Sequence, residues 1–224
     1  MNNTIHTIGV VGSAGDLGSQ LVTMLQDTGH HVKTVANRKD TITIAQLMNE
    51  CDIVHFCIPS TGFKDIPAPR SHQVIVLHDS VMATSVHVDS DRFANKANHV
   101  HMLMNDSKTV VMDELNPDNA VLKQHFAALG LNPVCMSVTQ HDYIMSRSQA
   151  PLALLVALLL PDLDEWQKQG ILTPSGSALL TALEARAAQW TPATIDALFV
   201  NPQLQGFIDD LRDSINEKAA NHGK

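Results

Sequence analysis

Glycine recurs at every third position directly after the first apolar run of the chain, in the segment Gly12-Ser13-Ala14-Gly15-Asp16-Leu17-Gly18. The apolar run at residues 5–11 predicts a buried β-strand, and the spacing of Leu17, Leu21 and Leu25 predicts a helix after the glycines. Without side chains in the turn, the main chain can approach a pyrophosphate closely, and the helix N-terminus stabilises the negative charge. The segment therefore predicts a dinucleotide-binding loop in which Ser13 replaces the first glycine of the usual Gly-x-Gly-x-x-Gly pattern. The alternative is a tight turn that binds no ligand.

Short β-rich runs and helical patterns alternate as far as residue 138, which is typical of a parallel sheet covered by helices. Further strands are predicted at residues 31–36, 52–58, 74–77, 99–104, 109–112 and 133–138, and further helices at 43–50 and from Asn116-Pro117 to Gly130. From residue 139 onward the patterns are helical, at 151–160, 175–189, 192–200 and 204–220. We therefore expect an α/β fold, with a Rossmann-type doubly wound dinucleotide-binding sheet at residues 1–138 and a small all-helical domain at residues 139–224. The apolar faces of the C-terminal helices predict a homodimer.

Composition narrows the range of partners and compartments. The chain has 15 Lys and Arg against 23 Asp and Glu, a net charge of −8, so it lacks the basic surface that binds a nucleic acid backbone. Its three cysteines form no Cys-x-x-Cys pair and favour a reducing compartment. The longest apolar run, residues 151–161, is much shorter than the roughly 20 residues that span a membrane, and no signal peptide precedes the first strand. We therefore expect a soluble cytoplasmic protein that acts on a small molecule.

The end of the second predicted strand bears on the choice of dinucleotide. NAD enzymes carry Asp or Glu there to bind the ribose hydroxyls, whereas this segment reads Ala36-Asn37-Arg38-Lys39. Two cations and an amide suit a 2′-phosphate, because Arg pairs with phosphate in a bidentate manner. The segment favours NADP over NAD, with a solvated basic turn as the alternative. Pro59-Ser60 ends the next strand and is predicted to border the nicotinamide, with a simple turn as the alternative.

Two histidines, His99 and His101, alternate with Val100 on a predicted strand, so both imidazoles should face the same side. A pair of this kind can bind a metal, but no Glu or Cys cluster accompanies it, and we expect no metal site. Imidazole titrates near neutral pH. His101 is therefore the better candidate for a general base beside the nicotinamide.

Four segments, in order along residues 5–155, resemble motifs of the prephenate dehydrogenase family, which includes the arogenate dehydrogenases. The glycine loop at residues 11–18 resembles the loop of that family, and Asp79-Ser80-Val81-Met82 resembles its Ser-Val-Lys segment. His101-Met102-Leu103-Met104 resembles its His-Pro-Met-Phe segment. Thr139-Gln140-His141-Asp142, followed by Met145 and Gln149, resembles its His-Asp-x-x-Met-x-x-x-Gln helix start. The order and spacing of the segments, rather than any single motif, carry the resemblance.

The resemblance implies an oxidoreductase that converts prephenate to 4-hydroxyphenylpyruvate by oxidative decarboxylation, in tyrosine biosynthesis, and the segment at residues 36–39 favours NADP as its cofactor. His101 would accept the proton of the substrate hydroxyl, and Ser80 would hydrogen-bond that hydroxyl or orient His101. The substrate would be bound by His141, Arg147 and Gln149. A turn or helix cap is the alternative role for Ser80, and a structural N-terminal cap is the alternative for the pair His141-Asp142.

The sequence departs from the family pattern where the substrate carboxylates would bind. Met82 stands in place of the family's Lys, and Pro-Leu-Ala at residues 151–153 stands where the family has a carboxylate-binding arginine. A bound dianion needs a cation, for which Arg147 is the nearest substitute and Arg186 a more remote one. Two other functions stay open: a reductase for another small acid or hydride carrier, and a non-catalytic NADP-binding sensor.

Overall fold

The computed structural model describes residues 6–36, 40, 42–59, 62, 66–103, 108–188, 190 and 192–222. The chain divides into two compact units, Met1–His141 and Asp142–Lys224, and the division falls inside one helix, Val138–Ser148. The first unit is a sheet with helices packed on it, and the second unit is helical.

The described residues of the first unit form a sheet of seven strands: β1 (Thr7–Val11), β2 (His31–Val35), β3 (Ile53–Phe56), β4 (Val74–His78), β5 (Ala97–Leu103), β6 (Thr109–Asp113) and β7 (Asn132–Met136). Their order is β2-β1-β3-β4-β5-β6-β7, and every neighbouring pair is parallel except β5 with β6. The chain leaves β1 toward β2 on one side and returns to β3 on the other. The carboxyl ends of β1 and β3 are therefore a topological switch point, where ligands of such sheets bind. The predicted Rossmann-type sheet with a helical C-terminal part is confirmed.

Both faces of the sheet carry an apolar layer, because strand side chains alternate between the faces. The helices of this unit are α1 (Asp16–Asp27), α2 (Ile44–Glu50), α3 (Met82–Arg92) and α4 (Asn119–Ala128), and α5 (Val138–Ser148) follows β7. On one face Val10 and Val76 share a buried cluster with Leu21 of α1 and Phe126 of α4. On the other face the strands pack with α2 around Leu47. Each such buried side chain contributes about 1.5–3 kcal/mol to folding.

Helix α3 is absent from the helices that the sequence predicts, because its segment is rich in β-branched and polar residues of modest helix propensity. Buried hydrogen bonds to β5 hold it instead. Asp89 Oδ1 accepts a bond of 3.0 Å from Ala97 N, and Ser85 Oγ lies 2.9 Å from His99 Nδ1. Tertiary contacts with the sheet therefore stabilise a helix that local propensity does not predict.

The predicted start of α4 at Asn116-Pro117 is wrong, because the helix begins at Asn119. Asn116 bonds to the main chain of β5 rather than to a helix. Its Oδ1 accepts a bond of 2.7 Å from His99 N, and its Nδ2 donates a bond of 3.1 Å to His99 O. The side-chain amide therefore bonds to both main-chain groups of His99, as a neighbouring strand would, and holds β5 in place at this residue.

The second unit contains α6 (Ala150–Lys168), α7 (Pro174–Ala187), α8 (Pro192–Phe199) and α9 (Leu204–His222). Helix α6 continues through Pro161 and is longer than the predicted 151–160. Val156 of α6 and Leu180 of α7 belong to the small apolar core of this unit. Thr173 caps α7, since its Oγ1 accepts a bond of 3.1 Å from Gly176 N.

Helix α6 also exposes part of its apolar surface, with Leu158 67% exposed. The continuous stretch Val138–Lys168 is long and apolar enough to cross a membrane, judged by length and composition, and 28% of its apolar window is buried inside the structure. That property alone does not distinguish a membrane helix from a helix of a globular protein, which passes the same test. The homodimer through these helices stays a prediction.

Candidate functional site

The glycine loop lies between β1 and α1, and its glycines have different roles. Gly12 has a φ of +87°, and a Cβ there would lie 2.5 Å from the carbonyl oxygen of Cys57. A Cβ on Gly18 would lie 2.1 Å from the carbonyl oxygen of Gly12, so α1 can approach the loop only because this residue has no side chain. At Gly15 the same test gives an ordinary contact of 3.4 Å. The glycine that the turn requires is Gly12, the residue before Ser13, so the loop does not depend on a glycine at position 13.

The N-terminus of α1 is open to an anion. Gly15 is its N-cap residue in an extended conformation, and no side chain of the described residues caps the helix there. The N–H groups of the first turn and the positive end of the helix dipole therefore remain available. Asp16 is exposed in this turn and adds a negative charge that opposes an anion. Ala14 is exposed as well, whereas Leu17 packs against the core.

The predicted 2′-phosphate residues Asn37, Arg38 and Lys39 lie outside the described residues, as does Ser60. Close to the end of β2, the carboxylate of Asp40 accepts a hydrogen bond from Ala36 N. Pro59 follows β3, and its carbonyl oxygen accepts a bond of 2.8 Å from Gly62 N. This hydrogen bond lies after β3, at the carboxyl edge of the sheet.

Ser80 lies in the connection between β4 and α3, at the same edge of the sheet as the glycine loop. The connection is held to β5 by a bond of 3.1 Å from Asp79 N to Val100 O. The N-cap residue of α3 is Val81, which accepts no cap bond through its side chain. Ser80 is therefore a half-buried residue of the carboxyl edge and does not cap the helix.

His101 of β5 is paired with His141 of α5. The two rings are nearly perpendicular, at 83°, with His101 Nδ1 3.0 Å from His141 Nε2, and His141 is fully buried. Ser137 Oγ accepts a bond of 3.2 Å from Gln140 N and so caps α5. Asp142 lies inside α5, so the alternative of a His141-Asp142 cap pair is wrong.

The protonation of His101 follows from its surroundings. Burial lowers its pKa to about 3, with further lowering by His141 and His78, so the ring is neutral at pH 7 and carries one N–H. If His101 Nδ1 donates to His141 Nε2, the Nε2 atom of His101 keeps its lone pair and can accept a proton. The pair then has the geometry of a general base that a second group orients. His141 Nε2 faces His101, so the structure favours an orienting role for His141 over substrate binding.

His99 does not join His101 in this site. Its Nδ1 lies 2.9 Å from Ser85 Oγ and its Nε2 3.3 Å from Asp89 Oδ2, and all three residues are buried. Ser85 Oγ also donates a bond of 2.9 Å to Met82 O. This network joins β5 to α3 inside the fold. Within the described part of the chain, no group of three His, Cys, Asp or Glu side chains is arranged to hold a metal ion.

Arg147 and Gln149 belong to the second unit. The guanidinium of Arg147 pairs with the carboxylate of Asp210 and lies 4.6 Å from the ring centroid of Tyr143. The hydrogen bond to Asp210 raises the pKa of Arg147. The cation predicted to neutralise a substrate carboxylate therefore already has a carboxylate partner. Gln149 precedes α6, and its N donates a bond of 3.0 Å to Met145 O.

A second group of histidines in the first unit was not predicted from the sequence. His55 of β3 lies with its Nδ1 2.9 Å from His78 Nε2 of β4 and its Nε2 3.2 Å from His125 Nε2 of α4. Burial lowers the pKa of His78 to about 3 and of His125 to about 4, and that of His55 well below its usual value. Histidine within the apolar runs Ile-Val-His-Phe and Val-Ile-Val-Leu-His is the signal that was available, because a buried ring needs a hydrogen-bond partner.

Several solved structures are similar to this chain. The prephenate dehydrogenase from Aquifex aeolicus, in complex with hydroxyphenyl propionate and NAD+, is 15% identical over 97% of this chain and 90% of that one, with a TM-score of 0.76. Synechocystis arogenate dehydrogenase is 14% identical over 94% of this chain and 90% of that one, with a TM-score of 0.67. The 1-pyrroline-5-carboxylate reductase from Streptococcus pyogenes is 13% identical over 97% and 95% of the two chains, with a TM-score of 0.53. No protein-family model and no curated protein sequence matches the chain. The chain therefore has a fold similar to that of prephenate and arogenate dehydrogenases.

Proposed function

We propose that this protein is an NADP-dependent oxidoreductase of the prephenate dehydrogenase type. The observation that carries the proposal is the His101–His141 pair in a unit whose glycine loop excludes side chains at Gly12 and Gly18. The similar structures support the reaction class, because they are dehydrogenases and a reductase. The resemblance of the sequence motifs supports prephenate or the closely related arogenate as the substrate.

The residues present fit a nicotinamide dinucleotide. Close approach at Gly12 and Gly18 leaves only main chain where a pyrophosphate would lie, and the uncapped N-terminus of α1 supplies N–H donors. Asn37, Arg38 and Lys39 would hold the 2′-phosphate of NADP, with NAD as the other possible cofactor. A bound nicotinamide supplies the acceptor for the hydride that leaves the hydroxyl-bearing carbon of the substrate.

The side chains of the protein would manage the proton of that hydroxyl group. His101 would accept it at Nε2, because Nδ1 faces His141. A substrate carboxylate close to His101 would raise the pKa of the ring above about 3 and make it a stronger base, since a negative charge favours the imidazolium. Ser80 would orient the hydroxyl group from the β4–α3 connection. Arg147 and Gln149, the other residues predicted to bind substrate, belong to the second unit.

Turnover tests this proposal directly. Mixing the protein with NADP+ and prephenate, and separately with arogenate, should produce the absorbance of the reduced cofactor. His101→Asn should remove the signal while calorimetry shows unchanged NADP+ binding. The matched control is His72→Asn, which replaces an exposed histidine and should leave turnover intact. Cofactor binding by the wild-type protein without turnover of either acid would contradict the proposal.

A non-catalytic NADP-binding sensor is the second candidate. The ion pair between Arg147 and Asp210 favours it, because that arginine is already neutralised. Cofactor binding without turnover is its expected result. For either function we propose a cytoplasmic homodimer that binds neither nucleic acid nor membrane, in keeping with the net charge of −8 and the free cysteines Cys51, Cys57 and Cys135.

A further inference from the structure

We propose that His99 is a positioning residue for the dehydrogenase reaction. Through Ser85 and Asp89 it fixes helix α3, and with it the connection that carries Ser80, relative to the strand that carries His101. The proposal rests on the proposed function, in which Ser80 orients the substrate hydroxyl group and His101 accepts its proton. The two side chains can act on one hydroxyl group only if the β4–α3 connection and β5 keep a fixed relation.

Ser80 and His101 lie next to the two ends of one main-chain hydrogen bond. Asp79 N donates a bond of 3.1 Å to Val100 O, so Ser80 follows the donor residue and His101 follows the acceptor residue. This bond ties the β4–α3 connection to β5 directly beside both candidate side chains. A single bond at the edge of a sheet opens readily unless the elements beside it are held. Contacts that hold α3 therefore also decide where Ser80 lies.

The ring of His99 supplies such contacts at two positions of α3. Its Nδ1 lies 2.9 Å from Ser85 Oγ, and its Nε2 lies 3.3 Å from Asp89 Oδ2. Ser85 and Asp89 are one helical turn apart, so both lie on the same face of the helix. Asp89 Oδ1 also accepts a bond of 3.0 Å from Ala97 N, at the start of β5. Hydrogen bonds therefore join α3 to β5 over a full turn of the helix.

The Ser85 end of this network leads toward Ser80. Ser85 Oγ donates a bond of 2.9 Å to the carbonyl oxygen of Met82, the first residue of α3. Met82 and Val81 are fully buried, and they are the two residues that follow Ser80. The path from the ring of His99 to the connection is therefore continuous, through the hydroxyl group of Ser85 and the first carbonyl group of α3.

His99 is itself held from the other side. Its main-chain N–H and C=O groups both bond to the side-chain amide of Asn116. Val100 and Met102 belong to the apolar cluster that packs with α1 and α4, so His99 and His101 face the opposite side of the sheet, as their spacing predicts. The ring of His99 is therefore a fixed point on the same strand and the same face as His101.

Neither catalysis by the network nor stability alone explains these contacts. Ser85, His99 and Asp89 have the residue types of a hydrolase triad, but all three are buried and Ser85 Oγ donates its proton to Met82 O. Apolar side chains of similar volume would hold α3 against β5 at least as strongly. Hydrogen bonds are directional, whereas apolar packing is not, so a satisfied buried network selects one geometry. The network is therefore suited to fixing one position of α3.

Two substitutions of His99 separate the two ends of the network. By length, the amide of Asn lies where the imidazole has Nδ1, and the amide of Gln lies where it has Nε2, and each amide can donate or accept. His99→Asn can therefore keep the contact with Ser85, whereas His99→Gln can keep only the contact with Asp89. A purely structural role predicts the same result for both. Ser85→Ala removes the link to Met82, and Ala is a good helix former.

Amide hydrogen exchange, followed by nuclear magnetic resonance on the full-length protein, tests the network without substrate or cofactor. Exchange of the Asp79 amide should rise about tenfold in Ser85→Ala and in His99→Gln and stay close to wild type in His99→Asn. The control is the amide of Cys57, which also follows a strand and donates a bond of 2.9 Å to the neighbouring strand, at Val11 O. Its exchange should not change. An unchanged Asp79 amide in Ser85→Ala, or an equal rise at Asp79 and Cys57, would overturn the proposal.

Turnover with NADP+ and prephenate, or with arogenate, tests the consequence for the reaction. Ser85→Ala and His99→Gln should lower kcat about tenfold and leave KM for NADP+ unchanged, and His99→Asn should recover most of that loss. His125→Gln removes a buried histidine of α4 and should keep the wild-type kcat. Equal losses in His99→Asn and His99→Gln would refute the positioning role. If the wild-type protein turns over neither acid, the dehydrogenase function fails, and hydrogen exchange alone decides whether the network holds the connection.

Discussion

His101 Nδ1 lies 3.0 Å from His141 Nε2, and the ring of His141 is wholly buried. His101 is on strand β5, and His141 is in the first turn of α5. The ring of His101 is therefore held by a residue some 40 positions later in the chain. In the proposed site, an imidazole rather than a carboxylate orients the base. Burial keeps the ring of His101 neutral at pH 7, because it lowers the pKa to about 3, and we expect a bound substrate carboxylate to raise that pKa.

Replacing His141 tests this arrangement. We expect His141→Ala to lower kcat about 100-fold, because a ring displaced by about 1 Å loses its reactive geometry, with KM for NADP unchanged. His141→Gln retains a hydrogen-bonding side chain and should recover part of the activity. Steady-state kinetics check the split, and thermal denaturation shows whether the fold survives. A loss of the same size in both variants would contradict an orienting role.

Gly18→Ala should remove dinucleotide binding. The new methyl group would lie 2.1 Å from the carbonyl oxygen of Gly12, so α1 must move away from the loop. Gly206→Ala is the matched control, because nothing lies within 4 Å of a Cβ at that position of α9. The control should raise stability by about 0.5–1 kcal/mol through helix propensity. Calorimetry with NADP+ checks the first variant, and wild-type affinity would show that the close approach is not required.

Arg38→Ala should raise the KM for NADP well above that for NAD, because the guanidinium would pair with the 2′-phosphate. Lys33→Ala also removes one positive charge from this region of the chain, but Lys33 is already paired with Glu50. That control should leave the ratio of the two KM values unchanged. Equal effects of the two substitutions would mean that only net charge matters.

Acid should destabilise the first unit through its buried histidines. The pKa of His55, His78 and His125 is lowered in the fold, whereas the unfolded chain titrates near the ordinary value of 6.5. Below about pH 6.5 the unfolded state therefore binds more protons, and stability falls as the pH drops toward the folded values of about 3 and 4. Each histidine can contribute up to about 1.4 kcal/mol per pH unit.

Urea denaturation at a series of pH values measures this slope. His55→Leu removes one of the three groups and should flatten the slope, whereas His31→Leu at an exposed position of β2 should not. A slope that His55→Leu leaves unchanged would show that the buried histidines do not control acid stability.

Leu158→Asp should convert the proposed homodimer to a monomer. Leu158 is 67% exposed on α6, and its neighbours Leu155 and Leu159 are also exposed. A charge in the middle of an apolar interface loses its hydration when the interface forms. Sedimentation of the wild-type protein at micromolar concentration should show a dimer, and Val121→Asp at an exposed position of α4, in the first unit, controls for an added surface charge. A monomeric wild-type protein would rule out the dimer.

Patterns of residue spacing were enough to predict the strands, most of the helices and the glycine loop, because each of these patterns lies within one short segment of the chain. Helix α3 was missed because Ser85 and Asp89 gain their partners only from β5. Asn116 has the residue type of a helix cap, and only the position of His99 shows that it binds a strand. The contact of His101 with His141 and the side-chain hydrogen bonds of His55 likewise join segments that are distant in the sequence. Residue type could indicate candidates for these contacts but could not pair them.

The side-chain amide of Asn116 hydrogen-bonds to both main-chain groups of His99. His101 lies two residues farther along the same strand, β5. A shift of β5 by one residue would break these two hydrogen bonds and turn the imidazole of His101 toward the opposite face of the sheet. The position of the proposed base is thus set by hydrogen bonds that Asn116 makes to another residue of the strand. If the proposed function holds, the surrounding loops can change with a new substrate while this pair of hydrogen bonds keeps the ring of His101 at the same place along the sheet.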